Sequence, residues 1–431
     1  MVHDVRNRLS EIRRDLHRCP EPGWREFRTT ARVVEELERI GVDEIAVGRE
    51  ALETDARMAV PEERELESWL ERAREAGVRS DILERTAEGH TGAVAVLEQG
   101  EGPTVGLRVD LDGISLRESD EAGHRPADEG FRSEHEGYMH ACGHDAHATI
   151  GLGVLEAVKD SDFSGTFKVF FQPAEEISGG GKAMTEGGYL DDVGYLFALH
   201  IGLNHPSGTI VAGIEKPLAM AHVTATFEGA SAHAGKAPNE GANAMQAMTS
   251  AVQNAYGIPR HSDGMTRVNF GRVEGGTASN VIAEEITVEG EVRGETTALM
   301  EYIRTELERV LYAAAEMHDC DVTLRTISES PRTDSDPALR ELVSDVAREN
   351  QRIDTVVPAE ELGVSEDATY LMQRVQDGGG LATYVILGTD HPTNHHTPTF
   401  DVDEGSLETG VAVLAESVTE LSARGPSDTP G

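Results

Sequence analysis

Between Met139 and His147 the chain reads Met-His-Ala-Cys-Gly-His-Asp-Ala-His, which gathers three histidines, a thiol and a carboxylate into one short segment. Imidazole and thiolate are the side chains that best bind borderline-soft divalent cations. Further candidates, Glu175, Glu176, His200 and His396, each lie close to the end of an apolar run. A single buried histidine usually has a structural explanation. Several metal-type residues ending apolar runs are harder to explain that way, and they point to a metal-dependent hydrolase. Cys142 and His144 are one residue apart, so in an extended loop their side chains point the same way. A thiolate can also bridge two cations. The adjacent carboxylates suggest a division of labour, in which one glutamate binds metal and its neighbour takes a proton from activated water. An isolated Glu-Glu pair is usually solvated, but the lead-in Phe170-Phe171-Gln172-Pro173-Ala174 places this one at a strand end. Among His391, His395 and His396, spacing alone does not choose.

These residues need a scaffold that brings distant segments together. Short apolar runs at Gly92–Leu97, Thr104–Val109, Thr166–Phe171, Tyr195–Leu199 and Ala382–Leu387 read as strands. Helical periodicity marks Ala146–Val158, Pro337–Asn350, Ser365–Val375 and Gly405–Leu421, after two amphipathic helices carrying Val5, Leu9, Ile12, Leu16 and Val33, Leu37, Ile40. Alternation of strands and helices predicts an α/β fold, a mixed sheet covered by helices. Ligands in such sheets bind beyond the carboxyl ends of the strands. Asp110, Asp112, Glu175, Glu176, His200 and His396 all fall there. Between about Ala219 and Glu329 the pattern changes to β-α-β-β-α-β, the ferredoxin-like α+β arrangement. Its first helix carries Met245, Met248 and Val252 on one stripe, and its last strand alternates Val322, Leu324 and Ile327. The expected division is therefore 1–217 and 331–431 as one discontinuous domain, with 218–330 inserted. Residues 50–88 are charge-rich and helical around Leu66–Ala76. Gly179-Gly180-Gly181 lacks the ending of a phosphate loop and reads as a turn before a helix. Gly425–Gly431 reads as a frayed tail.

Composition narrows the partners. The chain has 78 acidic and 38 basic residues, a formal net charge of -40. That argues against nucleic acid, whose phosphates need a basic surface. The acids are dispersed along periodic segments, and lysine is scarce, confined to Lys159, Lys168, Lys182, Lys216 and Lys236. This pattern suits a halophilic protein, because molar salt shortens the Debye length to about 3 Å and screens self-repulsion. Cys19, Cys142 and Cys320 imply no disulfide framework. Cys19, Cys320 and His17 are read as structural. No run approaches the roughly 20 apolar residues of a membrane helix, and the first residues carry no apolar signal segment. The expectation is a cytoplasmic chain without a membrane partner.

Together these segments resemble the aminoacylase/carboxypeptidase family of dinuclear metallohydrolases, within its hippurate and indole-acetyl-amino-acid amidohydrolase branch. The likeness runs through Asp15–Glu21, Arg108–Asp112, Met139–His147, Phe171–Glu176, Ala198–His200 and His396–Pro398. It implies two divalent ions per chain, Mn or Zn, held by Cys142, His144, Glu176, His200 and His396, with Glu175 as general base. His396 is preferred over His395 because the family's last ligand precedes proline by two positions. The resemblance also implies that the inserted domain is a lid and dimerisation domain, giving a homodimer. Gly229–Ala234 resembles the loop whose histidine, here His233, hydrogen-bonds the developing oxyanion in the partner's site. Asn280 and Arg293 resemble positions that hold the substrate carboxylate. Gly123–Phe131, Glu136–His140 and Ser365–Thr369 are similar to the branch that cleaves p-aminobenzoyl-glutamate, in which a second related chain occurs. Gly113-Ile114-Ser115-Leu116 and the Ser178–Gly181 loop depart from the family's commoner pattern, and both border the site. The implied reaction is hydrolysis of a small N-acyl or N-aroyl amino acid. The alternatives are a general N-acyl-amino-acid amidohydrolase or dipeptidase, and a non-catalytic binding protein on the same fold.

Overall fold

The structure is a computed structural model and describes residues 2–391 and 393–423. The expected tail at 425–431 lies outside the described residues. The chain divides into two compact units, Met1–Glu215 with Thr333–Glu361 and Asp367–Gly431, and Lys216–Arg332 with Leu362–Glu366.

The first unit opens with α1 (Val2–Arg18) and α2 (Phe27–Ile40), followed by β1 (Glu44–Val47), α3 (Glu63–Glu75) and α4 (Ser80–Arg85). The apolar runs then form β2 (Ala93–Glu98) and β3 (Thr104–Asp110). After a short α5 (Arg125–Asp128) come α6 (His144–Lys159), β4 (Thr166–Gln172), α7 (Gly180–Glu186), β5 (Tyr195–Ile201), β6 (Thr209–Val211) and β7 (Ile214–Glu215). The second unit contributes β8 (Ala219–Glu228), α8 (Ala244–Ala255), β9 (Thr266–Gly275), β10 (Glu285–Gly294), α9 (Thr297–Met317) and β11 (Asp321–Ser330). The first unit resumes with α10 (Pro337–Glu349), β12 (Thr355–Val357), β13 (Glu360–Glu361), α11 (Ala368–Asp377), β14 (Leu381–Leu387) and α12 (Gly405–Ala423).

An eight-stranded mixed sheet, ordered β1-β2-β4-β3-β5-β14-β6-β12, forms the centre of the first unit. Its middle strands β4, β3, β5 and β14 run parallel. They read as continuous apolar runs because helices cover both faces, so β5 is buried from Leu196 to Ile201. Parallel alignment brings the carboxyl ends of β3, β4, β5 and β14 to one edge, and the loops that follow them carry the metal-type residues.

In the second unit the antiparallel sheet runs β11-β8-β10-β9. Ala221, Val223, Ala225 and Phe227 of β8 are buried in the same apolar cluster as residues of α8 and α9, while His222, Thr224 and Thr226 face the other way. Two expectations are corrected here. α8 fully buries Ala244, Ala247, Ala251 and Ala255, whereas of the expected stripe Met248 packs only at the edge of that core, Val252 is half-buried and Met245 is 47% exposed. Small residues let the helix approach the sheet closely, which outweighs the larger but more peripheral methionines. On β11 a bulge between Thr326 and Ser328 resets the alternation. It buries Ser328 and turns Ile327 outward.

Candidate metal centre

Cys142 and His144 flank Gly143, the residue that caps α6 in a left-handed conformation at φ 87. A side chain there would strike Ile201 at the end of β5, so glycine is required. This turn faces the two ligand candidates into the crevice. The Cys142 Sγ lies 3.3 Å from His200 Nε2. His200 Nδ1 donates to the Ile201 carbonyl at 2.8 Å, which leaves Nε2 as the unprotonated, lone-pair nitrogen facing the thiol. Burial, then the neighbouring His147 and His395, push the His200 imidazole well below its ordinary range and keep it neutral. His396 sits in a left-handed backbone conformation, φ 57, and its N–H donates to the Ala141 carbonyl. That bond ties its loop to the Cys142 segment, and His396 Nε2 lies 3.4 Å from Glu176 Oε2.

Glu175 and Glu176 follow Ala174, which is also left-handed at φ 55. Three successive backbone N–H groups of this loop are held by buried carboxylates. Ala174 donates to Glu26 Oε1 at 2.7 Å, Glu175 to Asp112 Oδ1 at 3.1 Å and Glu176 to Asp112 Oδ2 at 3.0 Å. Left-handed non-glycine residues cost of order 1–3 kcal/mol each and persist only where their surroundings hold them. Here the hold is explicit, and it presents Glu175 and Glu176 to the crevice. Burial, then Asp112, raises the Glu26 carboxyl to about 8.

Four overlapping groups of potential donor atoms result: Cys142, His144 and His200; Cys142, Glu176 and His396; His144, Glu175 and Glu176; and Asp110, His144 and His147. Within each group the atoms lie within 4.8 Å of one another. The last group is already satisfied. His147 Nε2 accepts the Ile201 N–H, so its Nδ1 carries the proton and donates to Asp110. Asp110 also takes Arg108 at 2.7 Å. The other groups are different. His144 Nε2 and Glu176 Oε1 are buried without a hydrogen-bond partner, 3.8 Å apart. A buried ring nitrogen and a buried carboxylate oxygen without partners are costly unless something positive lies between them. Although burial lowers the His144 imidazole, Asp110 and Asp112 raise it well above its ordinary range, a mark of how strongly the spot favours positive charge. Sulfur, imidazole and carboxylate donors make a divalent transition-metal ion the fitting occupant. His144 Nδ1 points to Asp112 at 3.2 Å, the outer partner that fixes a ligand ring.

The sequence-predicted residues Cys142, His144, Glu175, Glu176, His200 and His396 are thus brought together. His395, an open alternative, instead points Nε2 at the Ile201 carbonyl. In the second unit, His233 and Asn280 lie in paired loops, since the Ala234 N–H donates to the Asn280 carbonyl and His233 bridges Val281. Arg293 is not with them. It lies at the penultimate position of β10, roughly 25 Å along the strand from the loop that carries Asn280. Its guanidinium pairs with both oxygens of Glu291, at 2.9 and 3.0 Å.

Sequence reasoning placed Asp112 at the carboxyl edge and Asp367 in a resembling segment without giving either a role, and it passed over Glu26, because carboxylates that hold backbone N–H groups carry no local signature. Asp367 accepts from Gly181 N–H, Gln172 and Arg108. His17, read as structural, is buried between Asp145 and Glu118 at 2.8 and 2.9 Å. Burial and Arg13 would lower it, but the two carboxylates outweigh them and raise it to about 9.

The model of Peptidase family M20/M25/M40 matches residues 106–420. The chain is 40% identical to the indole-3-acetyl-aspartic acid hydrolase of Enterobacter agglomerans, over 94% of each chain. It is 38% identical to one of the subunits of the p-aminobenzoyl-glutamate hydrolase of Escherichia coli (strain K12), over 96% of each. The crystal structure of the aminobenzoyl-glutamate utilization protein from Klebsiella pneumoniae superimposes with a TM-score of 0.84 at 32% identity, covering 98% of both chains. A cation-ready cluster at the carboxyl edge of the large sheet and matches spanning nearly the whole chain lead to one conclusion: the chain belongs to the peptidase family M20/M25/M40.

Proposed function

We propose that this metal-dependent amidohydrolase of N-acyl amino acids acts on N-aroyl substrates of the p-aminobenzoyl-glutamate type. The general reaction class follows from the family and from relatives that are themselves named hydrolases of acyl-amino-acid amides. The observation that carries the reading is the pair of orphaned donors, His144 Nε2 and Glu176 Oε1, inside a sulfur-imidazole-carboxylate cluster. In this reading Cys142, His144, Glu176, His200 and His396 hold two divalent cations, manganese or zinc. When bound, the cations supply Lewis-acid stabilisation of the charge that develops on the amide oxygen.

The chain's own residues do the rest. Glu175, its backbone clamped by Asp112, accepts a proton from the attacking water and delivers it to the departing amine nitrogen. His233 donates to the developing oxyanion. Asn280 and Arg293 receive the substrate carboxylate, Arg293 through its planar fork. His233 and Asn280 lie too far along the second unit from Arg293 to touch one small molecule with it. Their joint use supports a homodimer, in which the two copies supply different residues. The Escherichia coli relative is named as part of a larger enzyme, which supports, in addition, a second related chain.

Glu175→Gln tests the assignment. It should keep two metal ions per chain by elemental analysis while kcat toward p-aminobenzoyl-glutamate falls about 10²–10⁴-fold. Substantial turnover in that variant overturns the role of Glu175. The dispersed acidity supports a cytoplasm of molar salt, and no helix among the described residues is long and apolar enough to cross a membrane. A thermal melt equally stable in millimolar buffer and in molar KCl would refute the halophilic reading.

A further inference from the structure

Two arginines stand directly opposite one another on the polar face of the second unit's sheet, where only one of them has a counter-charge. Arg293 on β10 is in register with Arg267 on β9. The adjacent pair, Val292 and Val268, belongs to the apolar core beneath the helices, so both arginines project from the other face. Like charges directly opposite across an antiparallel pair are destabilising. Glu291 takes Arg293 with both oxygens, leaving Arg267 to donate only to the neighbouring Thr266 carbonyl. Arg260 donates to the same carbonyl at 3.1 Å, bringing a third guanidinium to the spot. The nearby acids are already engaged: Glu289 pairs with Arg272, and Glu295 accepts the Met265 N–H. Among the described residues, no carboxylate pairs with Arg267 or Arg260. His222, opposite Glu291 on β8, is pushed down by burial and so does not compete with Arg293 for that carboxylate.

We infer that Arg267 and Arg293 together form a two-guanidinium platform that selects an amino-acid moiety bearing a second carboxylate. Residues directly opposite in an antiparallel pair have Cα atoms about 4.5–5.5 Å apart. The two carboxylates of an aspartate or glutamate residue, separated by only a few bonds, match that spacing. Glu291 occupies Arg293 in the absence of substrate, so the arriving carboxylate exchanges one charge-assisted pair for another. The net gain then comes from Arg267, which had no anionic partner to lose. The inference rests on the reading of Arg293 as the substrate-carboxylate residue and adds to it the choice of side chain.

The test is a specificity ratio, kcat/KM for p-aminobenzoyl-glutamate over that for p-aminobenzoyl-glutamine, which is nearly isosteric but lacks the second charge. In Arg267→Ala the ratio should fall about 10–100-fold, as loss of one charge-assisted hydrogen-bonded contact implies. In Arg267→Glu it should fall further. Arg267 is exposed, so metal content and melting temperature should match the parent protein. An unchanged ratio in both variants of an active enzyme overturns this inference alone. A parent protein inert toward every acyl-amino acid, metal-loaded and folded, overturns the amidohydrolase reading instead.

Discussion

At the scale of single residues, the carboxylates that never meet substrate decide whether those that do are useful. Glu26 spends one oxygen on the Ala174 N–H and the other on the Thr91 hydroxyl. It thereby fixes a left-handed residue one position before the proposed base. Glu26→Ala should release that peptide, lowering kcat about 10–100-fold while metal content stays at the parental level. Glu26→Gln retains the acceptor oxygen and should recover most of the loss. Equal defects in the two variants would show that the hydrogen bond to the Ala174 N–H is not what positions the loop. The acceptors of backbone N–H groups are where the sequence was silent. Cys142, His144 and the Glu175-Glu176 pair announce themselves by residue type. Glu26 stands among charged residues just before α2 and resembles an ordinary helix-start acid, yet it is fully buried.

Among the elements, long strands and helices were legible because burial on both faces leaves uninterrupted apolar runs and burial on one face leaves a stripe. β3, β4, β5 and β14 therefore fall close to their expected limits. The short strands β1, β6 and β12 were not anticipated, since three or four residues show no period. α8 misled because large methionines outweigh alanines in any hydrophobic stripe, although the alanines face the sheet. At the junction of β5 and α6, Gly143 lies against Ile201. Gly143→Ala forces a left-handed conformation, costing about 1–2 kcal/mol, and drives a methyl group into Ile201. Calorimetry should record a lower melting temperature, and dialysis against chelator should strip metal faster than from the parent protein. A variant with parental metal retention would mean that the turn does not position Cys142 and His144.

For the molecule as a whole, the buried His17 imidazolium links α1 to the Met139–His147 segment through Asp145 and to the loop after β3 through Glu118. Its folded value, about 9, lies above the ordinary 6.5. The stabilisation is therefore complete below about pH 6.5 and is lost as pH rises through 9, amounting to about 3 kcal/mol. Chemical denaturation between pH 6 and 10 should show this decline, and His17→Gln should flatten it. An equally steep decline in the variant would assign the pH dependence to other groups. Composition made the acidity of this molecule plain, but not that a histidine charged at neutral pH would be enclosed within it.

The pairing of β5 with β14 has a consequence for how the chain is made. About 180 residues separate Ile201 from Leu381, and the whole second unit is synthesised in between. At about 5–20 residues per second, one edge of the half-built sheet waits on the ribosome for roughly 10–40 s before its neighbour emerges. During that interval an apolar ribbon with unpaired backbone groups is open to any passing strand. Nascent chains arrested before residue 381 should therefore bind a holdase chaperone, and chains extended past residue 400 should release it.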